Sequence, residues 1–230
     1  MQKYLNKEGY IMYKVIDIEK WNRRSQYEWF SKFSNPCYSM NVDIDVTKVV
    51  EFTKETNTSF FINFLYVIMK SLNSVEEMRL RIVDNVVRLY DNIDPTYTIL
   101  LKDYNFENAG NKMFDNYKDF YEDANNEISS IKNQNGKNIE YNSENNYAVY
   151  YITCVPWVNY TAMTHPVPNN MPESSSVPRI CFSKYSLKDG KYILSFNINV
   201  SHALVDGYPL SKAFNKLIEN SLNPELILKK

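Results

Sequence analysis

The chain has 230 residues, 44% hydrophobic and 15% aromatic, which is enough apolar material for one sizeable core. Its 26 basic and 27 acidic residues leave a formal net charge of -1, which excludes a basic nucleic-acid footprint and a polybasic membrane anchor. Three cysteines, Cys37, Cys154 and Cys181, form no CxxC pair, which argues against a disulfide framework and a zinc site and fits a reducing cytoplasm.

In chain order, residues 1–11 read as a poorly ordered extension and 12–230 as a single domain. No apolar h-region of a signal peptide is visible in Met1 to Lys7. Tyr38 to Asp45 alternates like a strand, and Thr47 to Thr56 suits a short helix. Phe60, Phe61, Phe64, Leu65 and Ile68 recur at helical spacing over Ser59 to Leu72, with Thr58 as the expected N-cap. The apolar run inside it is too short to span a bilayer. Val86 to Tyr90 and Tyr97 to Leu101 read as strands. Met113, Tyr117, Phe120, Tyr121, Ala124, Ile128 and Ile131 mark one face of a long helix. Asn133 to Asn146 is polar and reads as loop, Tyr147 to Cys154 as a strand, and Asn159 to Ser176 as irregular.

The last third is the clearest. Arg179 to Ser186 and Tyr192 to Val200 flank Asp189-Gly190, a strong hairpin signal. Leu210, Ala213, Phe214, Leu217, Ile218 and Ser221 mark a final helix. The expected fold class is α/β: a two-layer sandwich with a mixed, largely antiparallel sheet covered by helices, not a doubly wound βαβ sheet. Only 5 glycines are present, and none lies in GxGxxG or another phosphate loop.

The chemistry concentrates at Ser201-His202-Ala203-Leu204-Val205-Asp206-Gly207. One of only two histidines sits at the end of the cleanest strand, where a rigid scaffold holds functional groups. With Gly at ~7% of average composition, a given His meets HxxxDG by chance roughly once in a few hundred. Imidazole is suited to taking a proton from a hydroxyl near neutral pH. Asp206 could orient the loop by pairing with an arginine, and Gly207 could let the chain turn into the helix. The motif alone leaves open a plain strand-end histidine with Asp206 as the helix cap. His165 has no ligand spacing around it and reads as a loop residue. No basic neighbour pattern activates the cysteines, which read as buried and structural.

Further landmarks stand in order: Trp21-Asn22-Arg23-Arg24 with Tyr27, Trp29 and Phe30; Pro36-Cys37; Glu77-Met78-Arg79; Asp94-Pro95-Thr96-Tyr97-Thr98; Ile152-Thr153-Cys154-Val155-Pro156-Trp157. With the HxxxDG run they make the chain, from Met12 onward, resemble the chloramphenicol acetyltransferases. The resemblance implies a cytoplasmic homotrimer of the antibiotic-resistance type, with sites between subunits and acetyl-CoA donating to a hydroxyl of a small molecule. It implies His202 as general base, Thr153 as hydroxyl donor to the oxyanion, and an Arg23–Asp206 pair with Gly207 supporting the loop. It also implies an acceptor pocket including Phe30, Cys181 and Tyr160, with no metal, nucleic-acid or membrane partner. Departures fall on the acceptor side. Ser201 replaces a His, Cys181 a Thr and Phe30 a frequent Tyr, and the family's Phe-Asn-Leu-Asn is not recognisable in Thr161 to Pro166. They put chloramphenicol itself in question and keep two alternatives open: a ligand-binding member without catalysis, and an acyltransferase acting on another acceptor. The related core of 2-oxo acid dehydrogenase complexes fits less well, because no lipoyl domain or Ala/Pro linker is present.

Overall fold

The computed structural model describes residues 3–4, 13–133 and 147–229. It is a mixed α/β fold built on two sheets. The smaller contains β1 (Lys3–Tyr4), β2 (Tyr13–Val15), β4 (Leu80–Val83) and β5 (Val86–Tyr90) in the order β1-β2-β5-β4. The larger contains β3 (Cys37–Asp45), β6 (Asp94–Leu100), β7 (Phe106–Gly110), β8 (Val149–Val155), β9 (Arg179–Ser183), β10 (Ser186–Lys188) and β11 (Lys191–Ser201). Its path runs from β7 through β6, β8 and β9 to β11, with β3 on the far side of β11 and β10 hairpinned to the start of β11. The pairs β6–β8 and β8–β9 are parallel, and the other pairs are antiparallel. The mixed, largely antiparallel expectation holds.

Alternation in β11 sets the two faces. Leu194, Phe196, Ile198 and Val200 are buried against the helices. The central one is α3 (Phe60–Asn73), apolar nearly all round and therefore enclosed. Phe64 packs edge-on against Phe182 and Phe196, and Phe214 of α6 (Gly207–Leu222) meets Phe196. The helix α4 (Tyr117–Asn133) covers α3 through Phe120 and Tyr66. Ser195, Asn197, Asn199 and Ser201 point the other way, yet they too are at most 6% exposed. Buried polar groups demand partners. Asn199 Nδ2 donates to Ser39 Oγ (3.0 Å) and Asn197 Nδ2 to Asn41 Oδ1 (2.9 Å).

Several sequence expectations shift. Ser59, not Thr58, caps α3: its hydroxyl accepts from Ile62 N, whereas the Thr58 hydroxyl accepts from Asn63 Nδ2. The strand expected over Arg179 to Ser186 splits into β9 and β10. A short helix, α5 (Pro172–Ser176), lies in the stretch expected to be irregular. Asp189 and Gly190 both have positive φ (51° and 78°), as a type I′ hairpin requires. The helices α1 (Arg24–Phe30) and α2 (Thr47–Thr56) precede α3; α2 has the expected bounds. The loop expected at Asn133 to Asn146 lies almost wholly outside the described residues, as does most of the N-terminal extension; Lys3–Tyr4 pairs with Tyr13–Lys14. Arg81 was not singled out by the sequence, and it joins the two sheets. Fully buried, its guanidinium donates to the carbonyls of Met78, Leu80, Tyr147 and Val149 at 2.7–2.9 Å. Burial pulls its pKa down to about 10, which leaves it cationic at neutral pH. No described helix is long and apolar enough to cross a membrane.

Candidate active site

β11 ends at Ser201, whose carbonyl accepts from Leu204 N and Val205 N, so the chain turns within a few residues. Ala203, Leu204 and Val205 are buried and anchor that turn. His202 N donates to Pro36 O (2.9 Å), tying the turn to the start of β3. Two aromatic rings pack the imidazole. Phe30, at the end of α1, stacks on it at 3.9 Å and 13°, and Tyr38 lies tilted at 4.8 Å. The Tyr38 hydroxyl donates to Val205 O (3.3 Å), and burial, aided by Asp206, pushes its pKa up to about 12. The sequence reading missed Tyr38, because a tyrosine in a strand carries no local signal.

Asp206 occupies the N-cap position of α6. Its backbone carbonyl accepts from Leu210 N, but its carboxylate makes no capping bond. The carboxylate is taken by Arg23, 183 residues away in sequence, which donates Nη1 to Oδ2 and Nη2 to Oδ1 (3.2 Å). This planar, two-point contact is what guanidinium and carboxylate shapes favour. The Arg23 guanidinium also lies over Trp21 at 5.7 Å. Asp206 Oδ1 is 3.1 Å from His202 Nδ1, outside hydrogen-bond alignment. Nδ1 is buried while the side chain is 34% exposed, so the open edge is the Nε2 side. Gly207 does not serve the expected purpose. It lacks a positive φ, and a Cβ there would meet nothing within 4 Å, so the turn places no steric demand for glycine.

Thr153, Cys181 and Tyr160 form a second group. Thr153 on β8 pairs with Cys181 on β9, which pairs with Asn197 on β11 and through it with Asn41 on β3. These four side chains share one row on the polar face. The Thr153 side chain is half-buried, and its hydroxyl makes no bond to the described residues. Tyr160 donates its hydroxyl to Cys181 O (2.8 Å). Cys181 is fully buried within the chain. Burial pushes the thiols of Cys37 and Cys154 up to about 11 and 12 and raises that of Cys181 as well, so all three stay protonated. His165 lies in a loop, as expected, and its Nε2 lies 2.8 Å from Asn197 Oδ1. Among the described residues no cluster of three or more His, Cys, Asp or Glu is placed to hold a metal.

Within one chain the two groups stand apart. From the row of Thr153 to His202 is two strand spacings across and five residues along, roughly 15–20 Å for 4.8 Å spacing and 3.3 Å rise. No single small carbonyl can touch both within one copy.

The family model described as "Chloramphenicol acetyltransferase" matches residues 11–218. A chloramphenicol acetyltransferase of Clostridium perfringens is 29% identical over 220 residues, covering 93% of this chain and 96% of that protein. One of Escherichia coli is 22% identical over 207 residues, 89% of this chain and 92% of that protein. Among solved structures, a chloramphenicol acetyltransferase superposes with a TM-score of 0.83 at 24% identity, covering 90% of this chain and 99% of the other. A truncated catalytic core of the 2-oxoacid dehydrogenase complex from Thermoplasma acidophilum gives 0.65 at 15% identity, covering 88% and 95%. Both structural likenesses concern the fold alone. The matched span takes in every residue of both groups, from Arg23 to Asp206, and the chain belongs to the chloramphenicol acetyltransferase family.

Proposed function

We propose that the protein transfers an acetyl group from acetyl-CoA to a hydroxyl of a small molecule, chloramphenicol or a similar alcohol, with His202 as general base. The observation that carries this reading is the imidazole itself. It is packed by Phe30 and Tyr38, its Nδ1 is buried against a carboxylate already fixed by Arg23, and its Nε2 edge is open. A carboxylate beside Nδ1 favours the proton on that nitrogen, leaving the Nε2 lone pair to act. Nε2 takes the acceptor hydroxyl proton as the oxygen attacks the thioester carbon. The carbonyl oxygen becomes an oxyanion and accepts a bond from the Thr153 hydroxyl. Collapse breaks the C–S bond, and the departing CoA sulfur takes the proton from His202. One oxyanion donor of this kind is worth roughly 3–4 kcal/mol in the transition state.

The 15–20 Å gap between His202 and Thr153 supports an assembly in which His202 of one copy meets Thr153 of another, in the homotrimer expected from the family. Exposed apolar side chains near both groups support the same reading: Trp29 and Phe33 beside α1, Trp157 and Val158 after β8. A cytoplasmic location and a role in antibiotic resistance follow as part of the proposal. The test is thiol release from acetyl-CoA with chloramphenicol and a panel of small alcohols. Acceptor-dependent release supports the reading; no release with any acceptor, by a protein that binds acetyl-CoA, favours a ligand-binding member without catalysis.

A further inference from the structure

His165 plays no part in the transfer described above, yet it is held with care. Asn197, which meets it, is fully buried. The Asn197 amide nitrogen is engaged twice, donating to Asn41 Oδ1 (2.9 Å) and to Met163 O (3.2 Å). The Met163 contact fixes the amide orientation, because reversing it would set the Asn197 oxygen against a backbone carbonyl that can only accept. Asn197 Oδ1 therefore faces His165, and Nε2 must be the donor across their 2.8 Å contact. Burial, reinforced by the Arg179 charge, keeps the His165 pKa below its ordinary value despite the opposing effect of this bond. At neutral pH the ring is uncharged, with its proton on Nε2 and a lone pair on Nδ1. No bond to Nδ1 is made by the described residues, and it is not among the sealed, unpartnered atoms.

The placement of that lone pair is informative. Asn197 lies in the same row as Thr153, two strands and about 10 Å away. The segment carrying His165 is strapped over this face at three points, by Tyr160 to Cys181 O, by Asn197 Nδ2 to Met163 O and by His165 to Asn197. It is also the segment, Thr161 to Pro166, in which the chain departs from its family. A tautomer locked by a fully buried amide makes Nδ1 a fixed acceptor over the sheet face that also carries Thr153.

We propose that His165 determines acceptor specificity: Nδ1 accepts a hydrogen bond from a second hydroxyl of the acyl acceptor, one that is not acylated, so that the site selects diols over mono-alcohols. This rests on the reading that the Thr153 face meets the acceptor. A site that hydrogen-bonds a substrate hydroxyl rejects the analogue lacking it, because the protein group is left unpaired.

The experiment is equilibrium binding, by calorimetry on the intact protein, of chloramphenicol and its 1-deoxy analogue, which lacks only the secondary hydroxyl. The wild type is expected to prefer chloramphenicol by roughly ten-fold. His165→Leu removes both ring nitrogens and should bring the two affinities within about two-fold. His165→Gln keeps an amide N–H for Asn197 without an acceptor where Nδ1 stands. It should melt at the wild-type temperature yet lose the preference as His165→Leu does. A wild type without preference, a preference retained in His165→Leu, one restored by His165→Gln, or a wild type that binds neither compound each overturns the proposal. Thiol release from acetyl-CoA, measured on the same samples, separates the two readings. Release without a His165-dependent preference sinks this inference alone, and a His165-dependent preference without release sinks only the acetyl-transfer reading.

Discussion

Replacing Asp206 by Asn keeps the side-chain shape and one acceptor oxygen but removes the charge that faces Arg23. Arg23 is 13% exposed and Asp206 31%, so the guanidinium left behind is largely desolvated. Breaking a fully buried pair by removing one partner costs about 3–5 kcal/mol. The partial exposure of Asp206 lets solvent screen part of that, which brings the expected loss to about 2–3 kcal/mol. In a chain of this size each kcal/mol moves the melting temperature by about 2–4 °C, so a drop of about 4–12 °C is expected. A double-mutant cycle with Arg23→Met and Asp206→Leu, followed by urea unfolding, isolates the pair. The double variant should be clearly more stable than the sum of the singles implies, with a coupling above about 1 kcal/mol. A melting temperature within 2 °C of wild type for Asp206→Asn, together with an additive cycle, would refute the claim that this pair anchors the His202 turn.

Thr153→Val removes the hydroxyl while keeping the branched shape that β8 accommodates, and should lower kcat by roughly 10²–10³-fold, whereas Thr153→Ser should retain most activity; equal losses would show that the hydroxyl is not the operative group. Light scattering should give three times the chain mass of 27.2 kDa. Mixing refolded Thr153→Ala and His202→Ala chains should restore activity that neither has alone, and a stable monomer with wild-type activity would contradict a site shared between copies. Chloramphenicol should be acetylated with a kcat/KM well below the ceiling of about 10⁸ M⁻¹s⁻¹, because Phe30 brings no hydroxyl to the ring it stacks on and the segment Thr161 to Pro166 is altered. A value near that ceiling would show those changes to be neutral.

Much of the fold was legible because its elements have clean periods. The period-two alternation of β11, the Asp189-Gly190 turn and the one-sided apolar stripes of α4 and α6 each need only local chemistry to read. Arg81 was not legible: nothing local marks an arginine whose partners are backbone carbonyls of residues 78, 80, 147 and 149. The burial of the polar face of β11 was also hidden, because it depends on a covering segment without periodicity. In the site, His202 and Asp206 stood out as a spaced pair, while Arg23 joined them only through family resemblance, since its contact spans 183 residues. Gly207 was expected from its position alone to ease the turn into α6, and the backbone there asks for no glycine. His165 read as a plain loop residue because its partner, Asn197, lies 32 residues further along the chain on β11.

The role of His202 as proton acceptor is tested most directly by His202→Ala. Thiol release from acetyl-CoA with the best acceptor of the panel should fall by roughly 10²–10⁴-fold. Melting temperature should stay near wild type, because the buried anchors of the turn, Ala203 to Val205, remain in place. A folded His202→Ala protein that keeps more than about a tenth of wild-type turnover would contradict the assignment of His202 as general base.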